Sequence, residues 1–149
     1  MIDLDSIQAR IKEGAEIETV LKSFDWKGFE KIIAQILKEN GFKVKNNYRF
    51  KTEKRYEIDV LAEKNGIVLS IDCKDWSRGR YKKSALAKAA KKQSERTKEL
   101  EKTKSDHTSM FPLIVTLFEE DIKRENDVIV IPVWKLNSFL NNELFEIAN

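Results

Sequence analysis

Apolar residues in the first part of the chain recur at three- and four-residue steps, and after residue 41 at every second position. Over residues 4 to 22 the stripe is weak (Ile7, Ile11, Ile17, Val20, Leu21) and broken at Gly14, which predicts a helical cap over 1–23. A stronger stripe of Trp26, Phe29, Ile32, Ile33, Ile36 and Leu37 predicts a helix over 26–40 with that face buried. Asp25 is its expected N-cap, Phe24 and Phe29 are spaced as a hydrophobic staple, and Asn40-Gly41 is its stop. Phe42, Val44, Tyr48 and Phe50 then alternate with polar residues, predicting a strand with one wet face and a bulge at Asn46-Asn47. Tyr56 to Glu63 and Ile67 to Lys74 predict two more strands, joined through Asn65-Gly66, a strong hairpin signal.

Helical spacing returns from Ser84 to about Lys102, with Ala85, Leu86, Ala89, Ala90, Gln93, Thr97 and Leu100 inward and lysines outward. Leu113 to Phe118 and Val128 to Val133 read as strands buried on both faces, and a last helix is expected over 135–142. The order α, β, β, β, α, β, β, α predicts an α/β domain, a mixed sheet flanked by helices. At 149 residues a single domain is expected, with its core over 24–134 and a C-terminal helical segment over 135–149.

Composition narrows the class. With 41% hydrophobic and 36% charged residues, the chain reads as a globular protein with a heavily charged surface. The lone Cys73 excludes an internal disulfide, and there is no Cys/His cluster for structural zinc. Neither a leader-like N-terminus nor a membrane-spanning apolar run is apparent, so a cytoplasmic location is expected. Net charge is only +3, but 12 Lys/Arg face 4 Asp/Glu between Lys74 and Lys104, a local +8 that leaves −5 for the rest. A segregated basic segment suits a polyanion such as nucleic acid, and equally a solvated lysine-rich helix.

Alternation along the hairpin puts Ile58, Val60 and Ala62 on one face of the second strand and Glu57, Asp59 and Leu61 on the other. In the third strand Ile67, Leu69, Ile71 and Cys73 share a face, and Ser70, Asp72 and Lys74 share the opposite one. Pairing then brings Asp59 opposite Asp72 and Lys74. Such a cluster could be an ordinary cross-strand ion pair. Glu30, however, lies between the angular positions of Trp26, Ile33 and Leu37, where a carboxylate needs a partner or a metal. Carboxylates are the ligands that hard Mg²⁺ or Mn²⁺ prefers, and an ion held there can activate water against a phosphodiester.

Asp59 within Glu57-Ile58-Asp59-Val60, followed after a hairpin by Asp72-Cys73-Lys74 on an αβββαβ background, resembles the PD-(D/E)xK nuclease superfamily. The helix Trp26 to Gly41 with Glu30 is similar to that of Mrr-like restriction enzymes and archaeal Holliday junction resolvases. The resemblance covers roughly 24–134 and implies a restriction endonuclease-like fold and a metal-dependent DNA endonuclease. It implies that Asp59, Asp72, Glu30 and the Cys73 carbonyl hold the metal and that Lys74 is catalytic. Ile58 stands in place of the motif's proline, and Asp72 where many relatives have Glu or Gln.

Trp76, Arg78, Arg80, Tyr81, Lys82 and Lys83 directly follow the lysine and are candidate DNA contacts, as are Arg49, Lys51, Lys54 and Arg55 on the approach to Asp59. Trp76 reads equally as a partly buried loop residue, Gln93 as a satisfied helix amide, and His107 has no role assigned. The apolar residues Leu136, Phe139, Leu140, Leu144, Phe145 and Ile147 are a candidate homodimer surface or a capping helix. No recognition domain is evident, which leaves structure-selective or weakly specific cleavage, or a separate targeting protein. Rival readings are a nucleic-acid-binding or assembly module that keeps the fold without catalysis, and a nuclease directed at RNA.

Overall fold

The computed structural model describes residues 26–74, 83–104, 108–116, 122–144 and 146, without the side chains of Trp26, Lys27 and Lys83. The expected cap over 1–23, Phe24, Asp25, Trp76 to Lys82, His107, Phe145 and Ile147 lie outside the described residues.

Helix α1 (Trp26–Glu39) buries Phe29, Ile32, Ile33, Ile36 and Leu37, the stripe expected from its spacing. It ends because Gly41 takes φ +86°, a left-handed turn that costs glycine little. The Gly41 N–H then donates to the Lys38 carbonyl (3.0 Å) and the Phe42 N–H to the Leu37 carbonyl (3.1 Å), while Phe42 enters the core. Lys64 Nζ donates to the Asn40 carbonyl at 2.8 Å, placing an ammonium at the helix's negative end.

The six strands β1 (Lys43–Lys51), β2 (Arg55–Lys64), β3 (Ile67–Lys74), β4 (Ser109–Thr116), β5 (Lys123–Glu125) and β6 (Val128–Pro132) form one sheet in the order β1-β2-β3-β4-β6-β5. β1, β2 and β3 are antiparallel neighbours, β3, β4 and β6 are parallel, and β5 pairs antiparallel with β6. Asn65 (φ 50°) and Gly66 (φ 79°) make the tight turn that their dipeptide predicts. Helices α1 and α3 (Val133–Ser138) cover one face of the sheet, and α2 (Lys83–Glu101) covers the other. The fold is thus the mixed α/β sandwich expected from the sequence. Among the described residues no helix is long and apolar enough to cross a membrane.

Five expectations need correction. No extra residue is inserted at Asn46-Asn47, because the β1–β2 register runs unshifted from Asn46↔Val60 to Tyr48↔Ile58. Instead Asn47, opposite Asp59, takes φ 51°, and both strands switch faces there. Val44, Val60 and Ala62 pack toward α1, whereas Tyr48, Phe50 and Ile58 pack with Leu61, Val68 and Leu100 toward α2. Ile58 therefore does not share a face with Val60 and Ala62. Strand β4 starts at Ser109, ahead of the apolar run. The all-polar β5 was not expected as a strand, and forms because Asn126 (φ 58°) turns the chain back along β6. Finally, α3 begins at Val133 directly after Pro132, whose extended backbone (φ −65°, ψ 141°) closes β6, and it continues as a π-helical turn over Phe139–Glu143.

Candidate active site

The β2–β3 ladder ends at Val60↔Ile71, whereas β3 stays paired with β4 through Lys74↔Thr116. Beyond that point Asp59 inserts its side chain where a backbone carbonyl would stand, and the Cys73 N–H donates to Asp59 Oδ2 at 2.9 Å. The strands part, and the opening carries Asp59, Asp72 and Lys74 at the edge of a cavity of about 820 Å³.

Asp72 is buried, with its side chain 7% exposed; Lys74 Nζ lies 3.4 Å from its Oδ2 and Arg96 Nη1 3.8 Å from its Oδ1. Burial is the main reason the Asp72 pKa is pushed up to about 6 from an ordinary 3.8, opposed by the Lys74 charge and aided by the hydrogen bond and charge of Asp59. The two carboxyls are thus in contact, and the Asp59 hydrogen bond and charge both favour the protonated form of Asp72. Two carboxylates in contact need a positive charge between them, and a proton or a hard divalent cation can supply it. Among the described residues, no three His, Cys, Asp or Glu side chains gather as a ready-made metal cage.

Glu30 approaches from α1, in the opposite layer, half-buried as its helical position predicts. It does not line the cavity. It acts on Cys73: burial first, then the charges of Asp59, Glu30 and Asp72, raise that thiol well above its usual value, so Cys73 is a neutral core side chain. Its carbonyl remains the group of interest.

Of the expected DNA contacts, Arg55 and Lys54 line the cavity, Lys51 is exposed outside it, and Arg49 Nε is paired with Glu57 Oε1 at 3.3 Å on the surface. From α2 the structure adds Lys92, Glu95 and Arg96 to the lining, residues that sequence reasoning did not select. Gln93 hinted at them. It is fully buried, and its Nε2 donates to the Ser70 carbonyl (2.7 Å) and the Leu113 carbonyl (3.2 Å), while its Oε1 accepts from Arg96 Nη1 (2.8 Å).

Residues 21–105, which include Glu30 and every residue lining the cavity, match the family model of the Mrr catalytic domain, described as a restriction endonuclease. The chain belongs to that family. An uncharacterized protein of Archaeoglobus fulgidus is 34% identical over 124 residues, covering 83% of this chain and 95% of that protein. The small subunit of the heterodimeric restriction endonuclease R.BspD6I shares the fold at a TM-score of 0.53 and 15% identity, over 80% of this chain and 75% of that one. A crystal structure of a protein of unknown function is 28% identical with a TM-score of 0.48, over 62% of this chain; the chain spans 50% of that structure's length. Membership in the restriction endonuclease family places the resemblance to PD-(D/E)xK nucleases on firm ground.

Proposed function

We propose that this chain is a metal-dependent endonuclease that hydrolyses phosphodiester bonds in DNA, by restriction-like or structure-selective cleavage. The observation that carries the reading is the contact of Asp59 and Asp72 beside Lys74, in an open cavity walled by cations, within a restriction endonuclease family fold. The donor set suits Mg²⁺ or Mn²⁺: carboxylate oxygens of Asp59 and Asp72 and the Cys73 carbonyl would hold the ion, and Glu30, outside the cavity lining, would add its charge from the α1 side. When bound, such an ion would activate a water and neutralise charge developing on the phosphate. Lys74, 34% exposed at its side chain, presents ammonium donors to the attacking water or to a phosphate oxygen. Asp59 fixes the Cys73 peptide, so the strand end that carries Asp72 and Lys74 keeps its place during the reaction.

The DNA is held by the β1–β2 connection with Arg55 and by the segment Trp76 to Lys83. Because the R.BspD6I small subunit belongs to a heterodimer, a second chain that directs cutting, or a second copy that gives two cuts, fits the compact catalytic unit. The test is cleavage of labelled duplex, single-stranded, four-way-junction DNA and RNA with Mg²⁺ or Mn²⁺. Asp59→Asn preserves an acceptor for the Cys73 N–H and should abolish cutting; Lys74→Ala should lower it by about 10²- to 10⁴-fold. Metal-independent DNA binding with no cutting of any substrate would instead favour a binding module that keeps the fold.

A further inference from the structure

We infer that Arg96, held in place by Gln93, is a phosphate-binding residue of this site, seating a backbone phosphate of the bound nucleic acid beside Asp72 and Lys74. The inference rests on the nuclease reading and assigns a substrate contact to one residue that the sequence did not single out within its basic segment. Three observations support it.

First, Arg96 is aimed by a rigid partner. Gln93 is fully buried and anchored to both β3 and β4, and Thr97, one turn on, places its hydroxyl 3.0 Å from that of Ser70, two residues before Asp72. The 2.8 Å bond from Arg96 Nη1 to Gln93 Oε1 therefore fixes the guanidinium relative to the strand that carries Asp72 and Lys74. An arginine fixed in this way loses little further rotamer freedom on meeting a ligand.

Second, the guanidinium is not used up. Its 3.8 Å approach to Asp72 is an ion pair too long for a hydrogen bond, and its side chain is 22% exposed on the cavity wall. Donors remain for a phosphate, whose paired oxygens suit the planar fork.

Third, the wall is one of two. Lys92, one turn before Arg96, lines the same cavity, and Lys54 and Arg55 line it from the β1–β2 connection. Thr52 ties that connection to α2, its hydroxyl donating to Glu99 Oε2 at 2.9 Å, so the spacing between the cationic walls is set by the fold. Cations flank the Asp59–Asp72 pair, and Glu57 and Glu95 also belong to the lining. That arrangement admits a polyanion carrying successive phosphates, with the carboxylate pair left between them for a divalent ion.

The experiment measures the affinity of the full chain for a labelled DNA duplex in EDTA at several salt concentrations, in parallel with Mg²⁺-supported cleavage. Arg96→Gln should weaken binding several-fold and reduce the slope of log affinity against log salt by about 1, the loss of one phosphate contact. Arg96→Lys should restore most of the slope. Gln93→Met, which keeps volume and loses the acceptor, should lose part of it while the arginine remains. Arg96→Gln with wild-type affinity and slope would overturn the inference, leaving Arg96 a counter-charge to Asp72; if Lys74→Ala still abolished cutting, the nuclease reading would stand without it. A slope lost in Arg96→Gln, with no cleavage by the wild type on any substrate, would uphold the phosphate contact and overturn the nuclease reading.

Discussion

Asp72 sits where ionisation is unfavourable, and the energetic sign of that placement can be worked out. Its folded pKa of about 6 lies above its ordinary 3.8, so the folded state binds the proton more tightly than the unfolded one. The resulting stabilisation is fully present below about pH 4 and is lost as pH rises through about 6. A shift of that size corresponds to about 3 kcal/mol. Urea unfolding in EDTA should therefore show wild type losing stability across this window relative to Asp72→Asn, and Asp72→Asn at least as stable as wild type at pH 7.5. Equal pH profiles for the two proteins would contradict the burial of this carboxyl. The Asp72-x-Lys74 pairing was legible, because strand alternation alone projects both side chains to one side. Arg96 was not, since its role depends on how α2 lies across β3, a relation between distant segments that local periodicity does not encode.

Between elements, the junction of Asn47 and Asp59 matters most. A side chain at φ 51° is tolerated by asparagine and glycine and resisted by β-branched residues. Asn47→Gly should change stability by no more than about 0.5 kcal/mol, whereas Asn47→Val should cost about 1–3 kcal/mol, as read by thermal melting. An equally tolerated valine would show that the left-handed backbone is not required. The Asn46-Asn47 pair marks an irregularity in the strand, but the even spacing of Phe42, Val44, Tyr48 and Phe50 does not reveal that it is a change of faces rather than a bulge. The α2 boundaries fall within one residue of expectation, because Leu86, Ala90, Gln93, Thr97 and Leu100 mark one buried side. Strand β5 escaped notice for the opposite reason: Lys123-Arg124-Glu125 offers no apolar residue, and its edge position requires none. Gln93 joins these elements, and Gln93→Ala should cost about 2–4 kcal/mol through lost hydrogen bonds and a cavity.

At the level of the molecule, stability is concentrated on one side of the sheet. β3, β4 and β6 are parallel, almost wholly buried and covered by helices on both faces, whereas β1 is a long exposed edge. Hydrogen exchange should find the slowest amides in Leu69–Ile71, Leu113–Val115 and Val128–Ile131, and fast exchange along β1 and β5. The carboxylates lie at the boundary between these regions. One flank of the cavity is thus the protected centre of the sheet, and the other is the exposed β1 edge, whose following turn is tied to α2 by the Thr52–Glu99 hydrogen bond. Uniform protection of β1 and β4 would contradict this division.

The bond from Asp59 to the Cys73 amide bears on how relatives of this chain should be interpreted. Asp59 completes a hydrogen bond that the parted strands can no longer supply, so a lineage that abandons cleavage still has a structural reason to retain it. Lys74, about one third exposed at the strand end, ties down no backbone group in this way; its 3.4 Å ion pair serves Asp72, a carboxylate of the same proposed site. In descendants that have drifted from catalysis, the aspartate should therefore outlast the lysine, and the lysine is the better marker of a working enzyme.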